Sequence, residues 1–192
     1  MGTRGMTLSD IERLQSAADE ADVAFEMDED TFRAFYDRTS RSLWAYLSRM
    51  TGDGHAADDL LQESYYRFLR TRVDYESEAH RRNYLFRIAT NLVRDSRRRQ
   101  QTRGIVVDQD CETLPSTGDH AAASVRRTDL NRAMAQLKPR ERELLWLAYA
   151  QGSSHREIGE VLGLKSGSIK LLLFRARRKL AGILGAGAGG RS

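Results

Sequence analysis

The sequence predicts an all-α protein made of two small helical domains joined by a flexible linker. Three observations predict it. Apolar residues recur at helical spacing along most of the chain, while the apolar/polar alternation of strands is nearly absent. That periodicity lapses over residues 100–128 and then resumes. Only two prolines interrupt 192 residues, so long helices meet few obligate breaks.

Residues 1–29 read as an acidic N-terminal extension. Ile11, Leu14, Ala18, Ala21 and Phe25 share one stripe, and Ser9-Asp10-Ile11-Glu12 fits a capping box, which predicts an amphipathic helix at about residues 9–25. Residues 30–100 form the first domain. TFRAFYDRTSRSLWAYLSRMTG predicts one helix, or two joined by a break, ending at Gly52. GHAADDLLQESYYRFLRTR follows, with Ala57, Leu61, Tyr65, Phe68 and Leu69 as its core stripe. HRRNYLFRIATNLVRDSRRR supplies a third helix, with Leu85, Ile88, Ala89 and Leu92 facing inward.

Residues 101–127 form the linker, where Gly104, Pro115, Ser116, Thr117 and Gly118 accumulate. Residues 128–182 form the second domain. Pro139 suits the first position of PRERELLWLAYAQ, which stops at Gly152. Ser154-His155-Arg156-Glu157 is a second capping box and opens the short helix HREIGEVLG. A turn at Gly163 leads to a longer helix from about Ser166 to Ala181, and residues 183–192 form a flexible tail.

Composition excludes several classes of function. Hydrophobic residues make up 40% and charged residues 30%, as in ordinary soluble proteins. No apolar run approaches the roughly 18 residues that span a bilayer, and MGTRGMTLSDIERL is not a signal peptide. A lone Cys111 cannot close an internal disulfide. These features predict a cytoplasmic protein without membrane insertion. His55, His80, His120 and His155 are scattered, with no metal-ligand spacing and no nucleophile motif. The expectation is therefore a non-enzyme with no catalytic residues, metal or cofactor.

Charge distribution is compatible with a polyanion partner, although charge alone favours plain solvated helix faces. Residues 1–30 carry a net −7, although the whole chain carries +4. Residues 81–103 hold eight arginines against Asp95 alone, and residues 170–180 hold five basic residues and no acid. Basic patches of this kind bind nucleic acid by releasing its counterions. Solvated helix faces would look similar, so the patterns around the charges matter more than the charges themselves.

The C-terminal pattern is a helix-turn-helix. Ile158 and Leu162 face inward, Gly163 makes the turn and Leu164 fills the corner. Ile169, Leu172, Leu173, Ala176 and Leu180 bury one side of the second helix. The other side presents Ser168, Lys170, Leu171, Phe174, Arg175, Arg177 and Arg178, a face suited to phosphates and base edges. Leu171 is apolar where water is expected, and fits a thymine methyl or a neighbouring element. In the first domain, Tyr84, Arg87, Asn91, Arg94 and Arg98 lie along one face of the third helix. An aromatic ring stacks on an unpaired base, arginines hold phosphates, and asparagine matches a base edge, so this face suits opened DNA. A surface of snorkelling arginines with Tyr84 half in the core fits the same residues equally well.

AADDLLQESYYRFL with YLFRIATNLVRDSRRR resembles region 2 of the sigma-70 superfamily, and LKPRERELLWLAYAQGSSHREIGEVLGLKSGSIKLLLFRARRKL resembles region 4. The pair in this order resembles the short extracytoplasmic-function (ECF) sigma factors. The resemblance implies a sigma region 2 helical bundle and a region 4 helix-turn-helix. It implies a protein that binds core RNA polymerase at its clamp helices and flap, recognises the −10 and −35 promoter elements and promotes melting. Asp58, Asp59, Gln62 and Glu63 match polymerase-binding positions. Asn91, Arg94 and the loop after Arg98 match the region that captures a flipped −10 base, while Lys170, Phe174, Arg175 and Arg177 match the −35 recognition helix. An anti-sigma partner is implied as well. Tyr84 replaces a usual tryptophan, Gly159 a common alanine and Ser168-Ile169 a Thr-Val pair, while Leu171 and Leu172 stand at positions often polar. The acidic extension is additional, and one reading has it cover a basic face. The alternative is a helix-turn-helix regulator that binds duplex DNA without polymerase. The first domain argues against it, because it lacks the strand-helix alternation of a receiver.

Overall fold

The structure is a computed structural model and describes residues 27–102 and 129–188. The proposed helix at 9–25, Cys111 and the linker from residue 103 onward lie outside the described residues. Among the described residues all regular structure is helical. No described helix is long and apolar enough to cross a membrane, and no described His, Cys, Asp and Glu side chains cluster as metal ligands.

Helix α1 (Glu29–Thr51) is uninterrupted, so the segment that allowed a break has none. Asp28 caps it, accepting from the Thr31 N–H at 2.9 Å and the Thr31 hydroxyl at 2.6 Å. Gly52 ends it at φ 77°, with its N–H donating to the Ser48 carbonyl. Asp53 then caps α2 (Gly54–Leu69) by accepting from the His55 N–H at 2.8 Å. Helix α3 (Glu78–Thr102) runs slightly past the predicted domain boundary at residue 100.

These three helices enclose an aromatic core. Phe35 stacks on Phe68 at 5.0 Å between ring centroids, Phe68 on Tyr75 at 5.5 Å, and Tyr36 meets Tyr65 at 4.8 Å. Such pairs contribute about 0.5–1.5 kcal/mol beyond area burial, more than exposed ion pairs such as Arg33–Glu29, which are worth ~0.2–1 kcal/mol. Two fully buried tyrosines needed hydroxyl partners, and threonines supply them. Thr39 donates to the Phe35 carbonyl at 2.7 Å, which leaves its oxygen to accept from Tyr65 at 2.6 Å. Thr90 repeats the device, donating to the Phe86 carbonyl and accepting from Tyr46 at 2.8 Å. Burial pushes both phenols far above their ordinary range, so they remain neutral donors.

After a helical stretch at 129–135, α4 (Pro139–Leu145) continues into a π turn over Trp146–Ala150, where the Gln151 N–H reaches the Trp146 carbonyl. Gly152 follows at φ 66°. Helix α5 (His155–Leu162) has the predicted box: Ser154 Oγ accepts from the Glu157 N–H, and Glu157 accepts from the Ser154 N–H at 2.6 Å. Helix α6 (Ser166–Ala188) extends beyond residue 182, so the predicted tail at 183–192 is helical as far as Ala188. Gly182 and Gly185 each cost a helix about 1 kcal/mol, but Leu180 and Ile183 pack on the core one turn apart and hold it.

The α5–α6 turn depends on a missing methyl group. A Cβ on Gly159 would lie 2.7 Å from the Leu164 carbonyl oxygen, a backbone atom that cannot swing away. The Gly159 carbonyl itself accepts from the Leu164 N–H at 2.8 Å, which fixes the approach. The substitution that looks mild in sequence therefore sets the turn geometry. We expect Gly159→Ala to destabilise the protein by about 1–3 kcal/mol, the usual cost of overpacking, as measured by urea denaturation; unchanged stability would show that the turn opens freely.

Candidate nucleic-acid interface

Helix α6 is held by its inner side alone. Ile169, Leu173 and Ala176 are buried, while Leu172 and Leu180 are partly so. Lys179 donates to Glu141 at 2.7 Å, and Glu141 also accepts from the Lys138 N–H at 2.8 Å, tying α6 to the start of α4. Arg140 donates to the Leu162 carbonyl at 2.7 Å and so braces the end of α5. Ser168, Lys170, Phe174, Arg175, Arg177 and Arg178 are all exposed on the outer side. Phe174 is 53% exposed and Leu171 51%, so the apolar Leu171 faces solvent here. The arrangement presents a rigid basic helix with an apolar patch.

Helix α3 presents its predicted face less evenly. Arg87, Asn91 and Arg98 are exposed. Tyr84 is half-buried and meets the Tyr75 ring edge-on at 5.7 Å. Arg98 pairs with Asp95 at 2.9 Å on the surface. Arg94 turns toward the second helical unit, where it donates to Glu143 at 2.7 Å. On α2, Asp58, Asp59 and Gln62 are exposed; Asp58 accepts from the Trp44 indole at 2.6 Å, and Glu63 pairs with Arg67 at 2.5 Å.

Sequence periodicity did not reveal that the two units pack together. Asn83 of α3 donates to Glu157 of α5 at 2.8 Å across the seam. Arg49 of α1 donates to Asn131, and the Tyr46 ring lies 6.5 Å from Trp146. The central group is Glu143, only 1% exposed. Besides Arg94 it has Arg97 and Arg140 guanidinium groups, each at 3.8 Å. Arg97 also donates to the Met50 carbonyl. Burial lowers both Arg97 and Arg140 from the usual guanidinium value, and the Glu143 charge works the other way. Between α3 and the helix-turn-helix lies an open cleft of about 500 Å³, with Arg87, Asn91 and Arg94 on one wall and Arg156, Leu164 and Ser166 on the other. Two of the three lining residues from α3 are exposed basic or amide groups, and the third is held by Glu143. Asn83, Arg97 and Glu143 were absent from the sequence reading. Asn83 and Glu143 are polar positions inside otherwise apolar stripes, the one local signal that could have found them.

Comparison with known proteins gives this geometry its context. The family profile described as sigma-70 region 2 matches residues 35–103, and the profile described as sigma-70, region 4 matches residues 127–180. The chain is 34% identical over 151 residues to the ECF RNA polymerase sigma factor SigL of Mycobacterium tuberculosis, covering 77% of this chain and 85% of that protein. It is 31% identical over 159 residues to the RNA polymerase sigma factor CarQ of Myxococcus xanthus, covering 82% and 91%. Its fold is similar to that of the sigma factor RpoE in complex with the anti-sigma factor NepR from Bartonella quintana, with a TM-score of 0.62, 21% identity, and coverage of 80% of this chain and 96% of that one. It is also similar to CnrH in complex with the cytosolic domain of CnrY, with a TM-score of 0.59, 22% identity, and coverage of 91% and 96%.

The seam is sensitive to acid through Glu157. Burial raises this carboxyl, but the Asn83 amide, the Ser154 N–H and hydroxyl, and the nearby Arg82 together hold it below its ordinary 4.5. A carboxyl lowered on folding stabilises the protein at any pH above its ordinary value, and that contribution is lost as pH falls from 4.5 through the folded value. Glu157→Gln should be less stable than the parent at neutral pH, and the gap should close below pH 4.5 in denaturant titrations run stepwise in pH. A gap that stays constant through that range would remove Glu157 as a charged cap.

Proposed function

We propose a division of labour between two helical units, starting from this premise: the chain belongs to the sigma-70 family, in its ECF group, and acts as a sigma factor in transcription initiation. The first unit, residues 30–100, holds the polymerase clamp helices through Asp58, Asp59, Gln62 and Glu63. Its α3 face, with Tyr84, Arg87, Asn91, Arg94 and Arg98, captures the displaced strand of the −10 element. The second unit, residues 128–182, binds the polymerase flap and seats α6 in the −35 major groove through Ser168, Lys170, Phe174, Arg175, Arg177 and Arg178. The observation that carries this reading is the pair of family matches in order, one on each unit.

The chemistry is binding. Melting costs a few kcal/mol per unstacked step, and trapping an extruded base in a protein pocket offsets part of that cost. Asn91 is exposed on α3 and carries both a donor and an acceptor, which suits base-edge contact. Exposed arginines on α6 supply phosphate contacts, and Phe174 and Leu171 supply an apolar surface for thymine methyl groups. Polymerase attachment makes the two DNA contacts intramolecular, which raises their effective concentration. Work on polymerase and promoter DNA supports a cytoplasmic location. RpoE was captured with the anti-sigma factor NepR, and a partner of the anti-sigma class is proposed here on that likeness. Nothing in the proposal requires an enzymatic step, metal or cofactor.

Transcription in vitro with purified core polymerase and a randomised promoter library tests the whole reading. Enrichment of one two-part motif is the expected result; DNA binding without any polymerase-dependent transcript would favour an ordinary helix-turn-helix regulator. Asn91→Ala should reduce opening of linear promoter DNA roughly tenfold or more, in line with the ~1–3 kcal/mol of a good base contact, while core binding stays unchanged. Equal loss of both would mean Asn91 does not read the strand.

A further inference from the structure

We propose that Glu143 is an internal stand-in for a DNA phosphate: it occupies Arg94 in the free protein and closes the α3 face against the strand. The proposal rests on the reading of that face as a strand-binding surface.

Glu143 sits at the seam, 1% exposed, and a carboxylate at that depth needs cationic partners. Two of its three partners, Arg94 and Arg97, come from α3 in the other unit; only Arg140 comes from its own helix, one turn away. When the units part, the carboxylate regains water and keeps Arg140, while Arg94 and Arg97 lose their counter-charge. The desolvation cost of a buried ion pair offsets most of its attraction, so the contact gives a reversible closure and not a permanent one.

Arg94 shares its face with Arg87 and Asn91 at helical spacing, so a strand that reaches Asn91 passes Arg94. A guanidinium that donates to Glu143 at 2.7 Å cannot give the same N–H to a phosphate. The start of α6 and the helix-turn-helix corner, through Leu164 and Ser166, also form the far wall of the cleft over Asn91. Asn83 donating to Glu157 fastens the same seam at a second point. Capture of a strand by the whole face, Arg94 included, therefore requires the seam to open, and closure lowers apparent affinity by the fraction of molecules left open.

The test uses the full chain without polymerase, in a Cys111→Ser background, with dyes on Arg67→Cys and His155→Cys, one exposed position in each unit. Energy transfer reports the seam, and anisotropy of a labelled single-stranded DNA oligonucleotide reports the α3 face. Glu143→Gln should lengthen the dye separation and tighten oligonucleotide binding about tenfold, as expected if roughly one molecule in ten is open in the parent. Adding Asn91→Ala should cancel that gain. Glu29→Gln makes the same charge change at an exposed site and should do neither. If Glu143→Gln does not fold, Asn83→Ala should move both readouts in the same direction by a smaller factor. An unchanged dye separation in a folded variant overturns the closure. A longer separation with no gain in affinity overturns the competition and places the fault in the strand-binding reading.

Discussion

A buried carboxylate must be neutralised where it lies, and the position of Glu143 makes that requirement act between two halves of the chain. Its partners decide how α3 and α4 meet. With Arg94 at 2.7 Å and Arg97 and Arg140 flanking it, the second helical unit is oriented against the basic face of the first. The Asn83–Glu157 bond and the Tyr46–Trp146 ring contact take up geometry that this charge arrangement permits. Packing of apolar surface alone is less directional and would leave the rotation of one unit on the other poorly defined.

Helix α3 carries the most conflicting demands in the molecule. One side is buried through Leu85, Phe86, Ala89, Leu92 and Val93. The other stays polar, with Arg87, Asn91 and Arg98 exposed. Thr90 reconciles the two within the core, because its hydroxyl satisfies its own helix and the Tyr46 phenol together. The result is a stiff helix that displays Arg87 and Asn91 from fixed positions. Helix α6 solves a simpler problem: it needs one buried side and one basic side, and three buried residues at helical spacing achieve that.

The local plan was legible in the sequence because local interactions set it. Ser154 accepts a backbone N–H group at a helix start, and Gly52, Gly152 and Gly163 take the left-handed conformation at helix ends, each as its local sequence predicts; Asp28 and Asp53 cap α1 and α2 by the same local rule, although the periodicity did not single them out. The outer face of α6 was readable for the same reason: a 3.6-residue period assigns each side chain a direction before any neighbour is known. Features set by distant contacts were not readable. The extension of α6 to Ala188 depends on Leu180 and Ile183 finding a core, against the propensity of two glycines. The importance of Gly159 depends on a carbonyl five residues later in the chain but adjacent in space.

The sequence by itself determined the described helices, most of their ends, the two basic faces and the order of the two family regions, since all of these follow from spacing, caps and charge along a continuous stretch. Only the tertiary structure decided that Arg94 faces Glu143, that Asn83 reaches Glu157, and that the helix-turn-helix forms one wall of the cleft over Asn91. Those partners stand 49 and 74 residues apart, and no periodicity relates a side chain on one helix to a particular side chain on another. Their meeting is fixed by the cost of leaving a buried charge without a counter-charge, which exists only once the chain has folded.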